Sequence, residues 1–434
     1  MTRFPGISTA IEPEQAVLVG VSWRSDAGGA AWPVDRSLDE LERLADTAGA
    51  CVVARMTQRL DRPIPRSYIG SGKVEELCSL VHRLDADVVV FDDDLTPSQQ
   101  SYLEKAVGEP TKIIDRTALI LDIFGLHART REGRLQVQLA QLQYLLPRLR
   151  GMWSHLAKEQ TRGGIGSRFG QGESQLEVDR RMIRNRIAAL RRELNTIALR
   201  RDVQSRARAS SPTFRVALAG YTNAGKSTLL NRLTGATVLS QDKLFATLDP
   251  TTRSYALPGG RRMTLTDTVG FIQKLPHGLV EAFKSTLGEI READLILKVV
   301  DASDPDHPRH LDAVDAVLAE IGVGQRPAIT VYNKIDMLPD HQRVALQARH
   351  PDDVLFSART GEGTEQLVDA IAHAAAAGDG LMSVLLPYTQ GALSAIVHEQ
   401  CRVIAEEYTE SGTLMTLKAP AYLMGHLQPF RVEA

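Results

Sequence analysis

Nine consecutive residues in the middle of the chain have the types and spacing of a phosphate-binding loop. Two glycines five residues apart are followed by lysine and serine, which is the G-x-x-x-x-G-K-S pattern. The glycines let the backbone turn so that successive N–H groups and the start of a helix face the phosphates. The loop consists of Gly220, Tyr221, Thr222, Asn223, Ala224, Gly225, Lys226, Ser227 and Thr228. We therefore predict a nucleotide site in which Lys226 reaches the β and γ phosphates and Ser227 binds Mg²⁺.

A polar segment after this loop has the composition of a nucleotide-sensing switch. Thr247 is the candidate that completes the Mg²⁺ shell and senses the γ phosphate. Thr251 and Thr252 remain alternatives, because spacing alone does not eliminate them. The segment predicted to line the nucleotide is Phe245, Ala246, Thr247, Leu248 and Asp249.

A second switch is predicted where a strand over residues 262–267 ends in the D-x-x-G pattern. Its residues are Asp267, Thr268, Val269 and Gly270. Asp267 is expected to hold Mg²⁺ through water, and the Gly270 N–H is expected to meet the γ phosphate. Lys226, Thr247, Asp267 and Gly270 are thus the predicted catalytic groups.

Two further patterns predict which nucleotide base the site recognises. The apolar run 327–332 is followed by Asn333, Lys334, Ile335 and Asp336, and a later strand by Ser357, Ala358 and Arg359. The Asp336 carboxylate can accept both N1–H and the exocyclic amine of guanine, a donor pair that adenine lacks. The Ser357 segment is expected to support the base through its backbone N–H groups. Four such patterns in this order predict a GTP and GDP site.

Two residues of the predicted site affect the rate of hydrolysis. Phe271 follows the D-x-x-G pattern where Ras-like proteins have the glutamine that orients the attacking water. Phenylalanine cannot do this, so we expect slow intrinsic hydrolysis that a large partner stimulates. Asn223 resembles the asparagine of potassium-activated GTPases, which makes K⁺ a candidate cofactor.

The amino-terminal third is predicted to be a small parallel α/β unit. Short runs rich in β-branched residues alternate with helical patterns. The predicted strands are 16–22, 51–56, 87–91 and 111–114, and the predicted helices are 38–45, 74–84 and 97–107. Residues 69–74 are not a second phosphate loop, because Ser67 replaces the first glycine and Val74 the hydroxyl residue. Asp92, Asp93 and Asp94 are interpreted as a solvated turn.

The middle of the chain is predicted to form a helical hairpin with a glycine-rich loop. Helical patterns cover residues 134–149 and 177–206, and the second is strongly arginine-rich. The loop at 163–172 has five glycines, so its backbone can approach a ligand closely. Phosphate pairing and base stacking favour RNA as that ligand. The predicted RNA contacts are Arg162, Gly163, Gly164, Gly166, Arg168, Phe169, Arg184 and Arg191.

Length and composition complete the predicted organisation. The 434 residues suggest about three domains as a first expectation, and a net charge of −2 excludes a uniformly basic nucleic-acid binder. We predict an α/β subdomain at 1–128, the hairpin at 129–211, a P-loop GTPase domain at 212–379 and a small α+β domain at 380–434, in which a helix extends to residue 407. Three scattered cysteines, no long apolar run and no signal-peptide layout favour a cytoplasmic protein without a membrane partner, monomeric in solution.

Several stretches are more distinctive than the general nucleotide motifs. They are 69–77 (IGSGKVEEL), 121–151, and GGIGSR and GESQLEVDRR at 163–181. Together with the GYTNAGKST, FATLDPTTR, DTVGFI, NKID and SAR motifs, they make the chain resemble, across nearly its whole length, the HflX family of translation-factor-related GTPases. The resemblance assigns Ser227 and Thr247 to Mg²⁺. It also implies binding to the large ribosomal subunit, with the glycine loop in the peptidyl-transferase region of the rRNA, and splitting or rescue of stalled ribosomes under stress. The loop here is one residue longer than is usual in the family.

Two other functions are compatible with the same patterns. One is nucleotide-dependent rRNA remodelling of a helicase-like kind, in which the amino-terminal domain uses ATP. The other is a signalling GTPase that regulates a membrane or protease partner. The incomplete phosphate pattern at 69–74 counts against the first, and the helical arm with its glycine loop counts against the second.

Overall fold

The structure is a computed structural model, and its described residues contain three separate β-sheets. They divide by contacts into two compact units, one made mainly of residues up to Leu194 and one of residues from Asn195 onward. None of the described helices has both the length and the apolar character needed to cross a membrane. The described ranges are 13–23, 32–152, 175–209, 213–236, 244–245, 247–258, 261–274 and 287–432.

The amino-terminal sheet has four parallel strands in the order β2-β1-β3-β4. The strands are β1 (Glu14–Trp23), β2 (Ala50–Leu60), β3 (Val88–Phe91) and β4 (Lys112–Asp115), and the helices are α1 (Val34–Ala48), α2 (Ser71–Leu84), α3 (Pro97–Val107) and α4 (Arg116–His127). Thr96 begins α3 with a capping box, in which its hydroxyl accepts from the Gln99 N–H. The predicted parallel α/β unit is confirmed. Lys73, which belongs to the segment 69–74 that resembles a phosphate loop, lies in α2. Its Nζ forms an ion pair with Glu76 Oε2 at 2.9 Å.

The interpretation of Asp92, Asp93 and Asp94 as a solvated turn is wrong for Asp92, whereas Asp93 is partly exposed and Asp94 is exposed. Asp92 is buried, and its carboxylate accepts two hydrogen bonds from the guanidinium of Arg116, which is itself buried at the start of α4. Asp93 accepts from the Tyr68 hydroxyl and Asp94 from that of Thr117. Asp92 is sheltered because the start of α4 places the Arg116 guanidinium beside the end of β3, a contact that local sequence does not reveal.

Two long helices lie within the predicted hairpin region at 129–211. They are α5 (Arg131–Met152) and α6 (Gln175–Ala209), each a few residues longer than predicted. Leu139, Ile187 and Leu190 are buried between them, and four further leucines and one isoleucine at helical spacing pack against these three residues. The glycine loop at 163–172 lies outside the described residues.

The central sheet has six strands in the order β10-β9-β8-β5-β7-β6. The strands are β5 (Phe214–Gly220), β6 (Thr251–Ala256), β7 (Arg262–Asp267), β8 (Leu295–Asp301), β9 (Ala328–Asn333) and β10 (Val354–Leu355), and the helices are α7 (Lys226–Thr234), α8 (Gly288–Glu292), α9 (His307–Glu320), α10 (Asp340–Arg349) and α11 (Thr364–Ala376). Among the strands that the structure describes in this sheet, β6 pairs antiparallel with β7 and the other pairs are parallel. The carboxyl ends of β5, β7, β8 and β9 therefore meet at one edge, where open α/β sheets bind ligands.

The carboxyl-terminal sheet has three antiparallel strands in the order β11-β13-β12. The strands are β11 (Gly380–Leu386), β12 (Arg402–Thr409) and β13 (Gly412–Ala419), and the helices are α12 (Gly391–Gln400) and α13 (Ala421–Leu427). The α+β character is confirmed, but the helix predicted to reach residue 407 ends at Gln400. Residues 402–409 form a strand because pairing with β13 overrides the helix preference of its two glutamates.

Candidate nucleotide-binding site

The predicted phosphate loop joins β5 to α7, and close approaches explain its two glycines. Gly225 has φ +90°, and a Cβ atom there would lie 2.2 Å from Asn333 Nδ2. A Cβ atom on Gly220 would lie 2.3 Å from the carbonyl oxygen of Val299 on β8. Asn223 also has a positive φ of 61°. A side chain at either glycine would therefore force the loop away from the sheet edge.

The ammonium group of Lys226 lies inside the loop. Its Nζ donates to the carbonyl oxygens of Gly220 at 3.1 Å and Tyr221 at 2.9 Å. Burial lowers the pKa of Lys226 to about 8, and the charge of Asp267 partly opposes this. The lysine is thus a buried cation at the point where the motif requires one for phosphate.

Three oxygen-bearing side chains come together beside Lys226. The Ser227 Oγ lies 2.9 Å from Thr247 Oγ1 and donates to Asp267 Oδ2 at 2.6 Å. The hydroxyl of Thr252 instead pairs with that of Thr266 at 2.9 Å. Of the alternatives considered from sequence, Thr247 is thus the threonine seen to contact Ser227.

The carboxylate of Asp267 fits a cation. It is fully buried, and among the described residues its Oδ1 has no hydrogen-bond partner. Burial raises the pKa of Asp267, whereas the charge of Lys226 and the Ser227 hydrogen bond lower it. A buried carboxylate oxygen without a partner is costly unless an ion or water satisfies it. The donor set of two hydroxyls and a carboxylate is hard and oxygen-rich, as Mg²⁺ prefers.

The segment after Asp267 is bonded to the phosphate loop through its backbone. The Thr222 N–H donates to the Phe271 carbonyl at 2.7 Å, and the Phe271 N–H donates to the Gly220 carbonyl at 3.1 Å. Gly270 packs closely here, since a Cβ atom on it would lie 2.8 Å from Thr222 Cγ2 and 3.1 Å from Lys226 Nζ. The Phe271 side chain is only 1% exposed. Phe271 therefore serves as a buried anchor, and its ring offers no polar group to a water molecule.

Asn333 connects the phosphate loop to the loop after β10. Its Nδ2 donates to the Ala224 carbonyl at 2.8 Å, and its Oδ1 accepts from the Ala358 N–H at 2.9 Å. The side chain is buried. One amide thus holds together two segments that the sequence assigns to phosphate and base.

The Asp336 carboxylate is oriented by a neighbouring hydroxyl. Ser357 Oγ donates to Asp336 Oδ1 at 2.6 Å and accepts from the Thr360 N–H at 3.1 Å. Arg232 on α7 supports the same loop, since its Nε donates to the Ala358 carbonyl at 3.2 Å. The arrangement can present a fixed carboxylate to two parallel donors on a planar base.

The structure brings together the predicted phosphate, magnesium and base residues that it describes. Ala246 is outside the described residues, as are the predicted RNA contacts Arg162, Gly163, Gly164, Gly166, Arg168 and Phe169. Arg184 and Arg191 are exposed on α6.

Sequence reasoning missed two residues that support the site. Arg232 carries no local signal, because it is one more arginine on a helix. Asp301 ends β8, and its Oδ2 accepts from Lys334 Nζ at 2.6 Å. The position of a carboxylate at the end of a strand neighbouring two motif strands could have indicated it.

Comparison with known proteins places the chain in one family. Family models described as GTP-binding GTPase N-terminal, GTP-binding GTPase Middle Region and 50S ribosome-binding GTPase match residues 35–125, 127–208 and 215–334. The GTPase HflX of Magnetococcus marinus is 46% identical over 91% of this chain and 90% of its own length. That of Caldanaerobacter subterraneus is 44% identical over 98% and 95%.

A solved structure also shows similarity. The GDP complex of a GTP-binding protein from Sulfolobus solfataricus is 24% identical, with a TM-score of 0.43, over 83% of this chain and 98% of that chain. The sequence relatives by themselves establish the assignment predicted from the motifs: the chain belongs to the HflX family of GTPases and is a GTP-hydrolysing enzyme.

Proposed function

We propose that this GTPase binds the large ribosomal subunit in its GTP form, reaches the peptidyl-transferase region with the glycine loop at 163–172, and splits or rescues stalled ribosomes under stress. The observation that carries the proposal is the match of residues 215–334 to the model described as a 50S ribosome-binding GTPase. Hydrolysis then ends the binding, because the two nucleotide forms differ in affinity for the subunit.

The charge of α6 supports an RNA partner. Its apolar residues face α5, whereas a set of arginines is exposed outside this contact between the two helices. These are Arg181, Arg184, Arg186, Arg191, Arg192 and Arg200. Arg186 donates to Gln138 of α5 at 3.0 Å, which keeps one of them beside the other helix. Such an array suits contact with successive phosphates of rRNA.

In the proposed site each group has one task. Lys226 contacts the β and γ phosphates, the Gly270 N–H meets the γ phosphate, and Asp336 reads the guanine edge. Ser227 and Thr247 would hold Mg²⁺, with Asp267 acting through water. When bound, Mg²⁺ neutralises charge on the phosphates. The chain itself orients the nucleotide, and its buried Phe271 ring offers no polar group that could orient a water molecule.

We expect turnover to be slow for the protein alone and to rise at least about 10²-fold with large ribosomal subunits. The reason is that the chain places buried Phe271 where a water-orienting side chain is needed, so a partner must supply or order that group. Phosphate release at saturating GTP measures this, with small subunits as the matched control. Fast turnover that large subunits leave unchanged would contradict the proposal.

The same assay tests three further points. If Asn223 helps to hold K⁺, turnover is higher in K⁺ than in Na⁺ at equal ionic strength, and equal rates would remove K⁺ from the account. If ATP replaces GTP in supporting the subunit-stimulated reaction, the rRNA-remodelling alternative is favoured. Stimulation by a membrane fraction but not by ribosomal subunits would favour the signalling alternative.

Nucleotide binding should take up protons near pH 8. In the free protein burial lowers the pKa of Lys226 to about 8, and a bound phosphate must raise it by favouring the charged form. Below pH 8 the lysine is already charged and affinity is constant. Above it, binding must first protonate the lysine, so affinity falls by up to about tenfold per pH unit.

Calorimetry of GDP binding in two buffers of different ionisation enthalpy measures the effect at pH 8. We expect uptake of about half a proton there and almost none at pH 7. The comparison at pH 7 is the internal control, because the protein and nucleotide are unchanged. No uptake at either pH would show that Lys226 is charged throughout.

A further inference from the structure

We infer that Asp301 is a positioning residue for guanine binding: it fixes the amine of Lys334 so that the hydrocarbon stem of this lysine covers one face of the base. The inference rests on the guanine site proposed at Asp336. Asp301 would not touch the nucleotide itself.

The Asp301 carboxylate is held in one orientation. Its Oδ1 accepts from the Ser303 N–H at 3.0 Å and from the Ser303 hydroxyl at 2.6 Å. Its Oδ2 accepts from Lys334 Nζ at 2.6 Å. Three hydrogen bonds to one carboxylate leave it little freedom, so the lysine amine has a defined position.

The other end of the Lys334 side chain is also fixed. Its backbone is left-handed, with φ 64° and ψ 29°, a conformation that non-glycine residues adopt only where surrounding contacts impose it. Asn333, the preceding residue, is bonded to Ala224 and to Ala358. Because the backbone and the amine are both held, the four methylenes between them form a preformed wall.

The pair is sheltered enough to matter for binding. The side chains of Asp301 and Lys334 are 19% and 27% exposed, well below the values of a solvated surface pair. While the amine of Lys334 is bonded to Asp301, it is not available to contact the phosphates. In the proposed site Lys226 makes that contact. Lys334 therefore contributes its stem, and lysine stems commonly cover apolar surface such as a purine face.

The position of Lys334 next to the base-reading residue supports this assignment. It stands two residues before Asp336 on the loop after β9, and Asp301 is level with Asn333 in the neighbouring strand. A base whose edge meets Asp336 leaves its faces to the flanking side chains. A wall fixed before binding reduces the ordering that binding requires.

A double-mutant cycle tests the inference through the affinity for fluorescent GDP. Asp301→Asn keeps the size of the side chain but removes its charge, and we expect it to weaken GDP binding about 5- to 20-fold. Turnover at saturating GTP should change less than about twofold, because the loss is one of binding. In a Lys334→Ala background the same substitution should have almost no further effect.

Two controls separate positioning from general stability. Asp315→Asn breaks another lysine–aspartate pair, Lys298 with Asp315 at 3.2 Å, and should leave GDP affinity unchanged. Ser303→Ala removes one bond to Asp301 and should give a smaller loss of GDP affinity, which keeps the inference testable if Asp301→Asn folds poorly.

Base specificity gives a separate test. Asp301→Asn should lower the affinities for GDP and IDP by the same factor, because Asp336 still reads the edge of the base.

Additive effects of Asp301→Asn and Lys334→Ala would overturn the inference, as would unchanged GDP affinity in Asp301→Asn. Its failure can be told from failure of the proposed guanine site. If Asp336→Asn binds GDP normally, the guanine site is wrong, whereas the cycle still reports whether Asp301 acts through Lys334.

Discussion

Asp336→Asn is expected to lower the affinity for GTP by roughly 10²- to 10⁴-fold and to permit binding of xanthosine triphosphate. The carboxylate is oriented by the Ser357 hydroxyl at 2.6 Å and can accept two N–H donors of guanine. Hydrogen bonds to a charged group contribute about 1.5–3 kcal/mol each, so losing their combined strength gives this range. An asparagine amide instead offers one acceptor and one donor, which match the N1–H and 2-oxo groups of xanthine.

Equilibrium competition against fluorescent GDP measures both affinities in one experiment. Asp340→Asn is the matched control, because Asp340 is an exposed carboxylate four residues further along the chain. It should leave both affinities unchanged. If Asp336→Asn retained normal GTP affinity, Asp336 would not read the base and the guanine site would have to be placed elsewhere.

Asp267→Asn is expected to reduce turnover at saturating GTP by about 10²- to 10³-fold. Asp267 lies fully buried beside Ser227, and among the residues described its Oδ1 has no hydrogen-bond partner. We propose that this oxygen satisfies water on Mg²⁺, and an uncharged amide cannot replace the carboxylate there. The magnitude is that of removing one preorganised electrostatic group from an active site.

Turnover measured against Mg²⁺ concentration distinguishes this role from a structural one. Asp267→Asn should shift the Mg²⁺ dependence to higher concentration, and Thr247→Val should do the same less strongly. Thr252→Val is the control, because its hydroxyl pairs with Thr266 and not with Ser227. Equal losses from Thr247→Val and Thr252→Val would refute the assignment of Thr247.

The nucleotide motifs could be predicted from sequence because their chemistry is local. A glycine such as Gly225 is required where a backbone turns with φ +90°, and this requirement is visible at a fixed spacing from Lys226. The apolar strands that precede the motifs were recognisable for the same reason. What remained open was the choice among Thr247, Thr251 and Thr252, since it depends on which threonine the fold brings to Ser227.

The features that sequence reasoning misjudged depend on residues far apart in the chain. Asp92 looked solvated because its partner, Arg116, is separated from it by 24 residues. The segment 402–409 looked helical because its glutamates favour a helix, but pairing with β13 decides its structure. Asp301 and Arg232 support the site through contacts with loops that follow much later. Such partners become visible only when strand order is known.

We propose that the nucleotide site sets the timing of ribosome binding and that the hairpin contacts the rRNA. A γ phosphate at Gly270 would change the conformation of the second switch, which is joined to the phosphate loop by backbone bonds. These bonds link Phe271, whose side chain is buried, to Gly220 and Thr222. If this change occurs, the two nucleotide forms must differ in their affinity for the large subunit.

Sedimentation of the full chain with large ribosomal subunits tests this central claim most directly. We predict co-sedimentation with a non-hydrolysable GTP analogue, at least about tenfold less with GDP, and loss of binding when residues 163–172 are deleted while hydrolysis by the free protein is retained. No co-sedimentation in any nucleotide state, or equal binding with GDP and with the GTP analogue, would contradict the account.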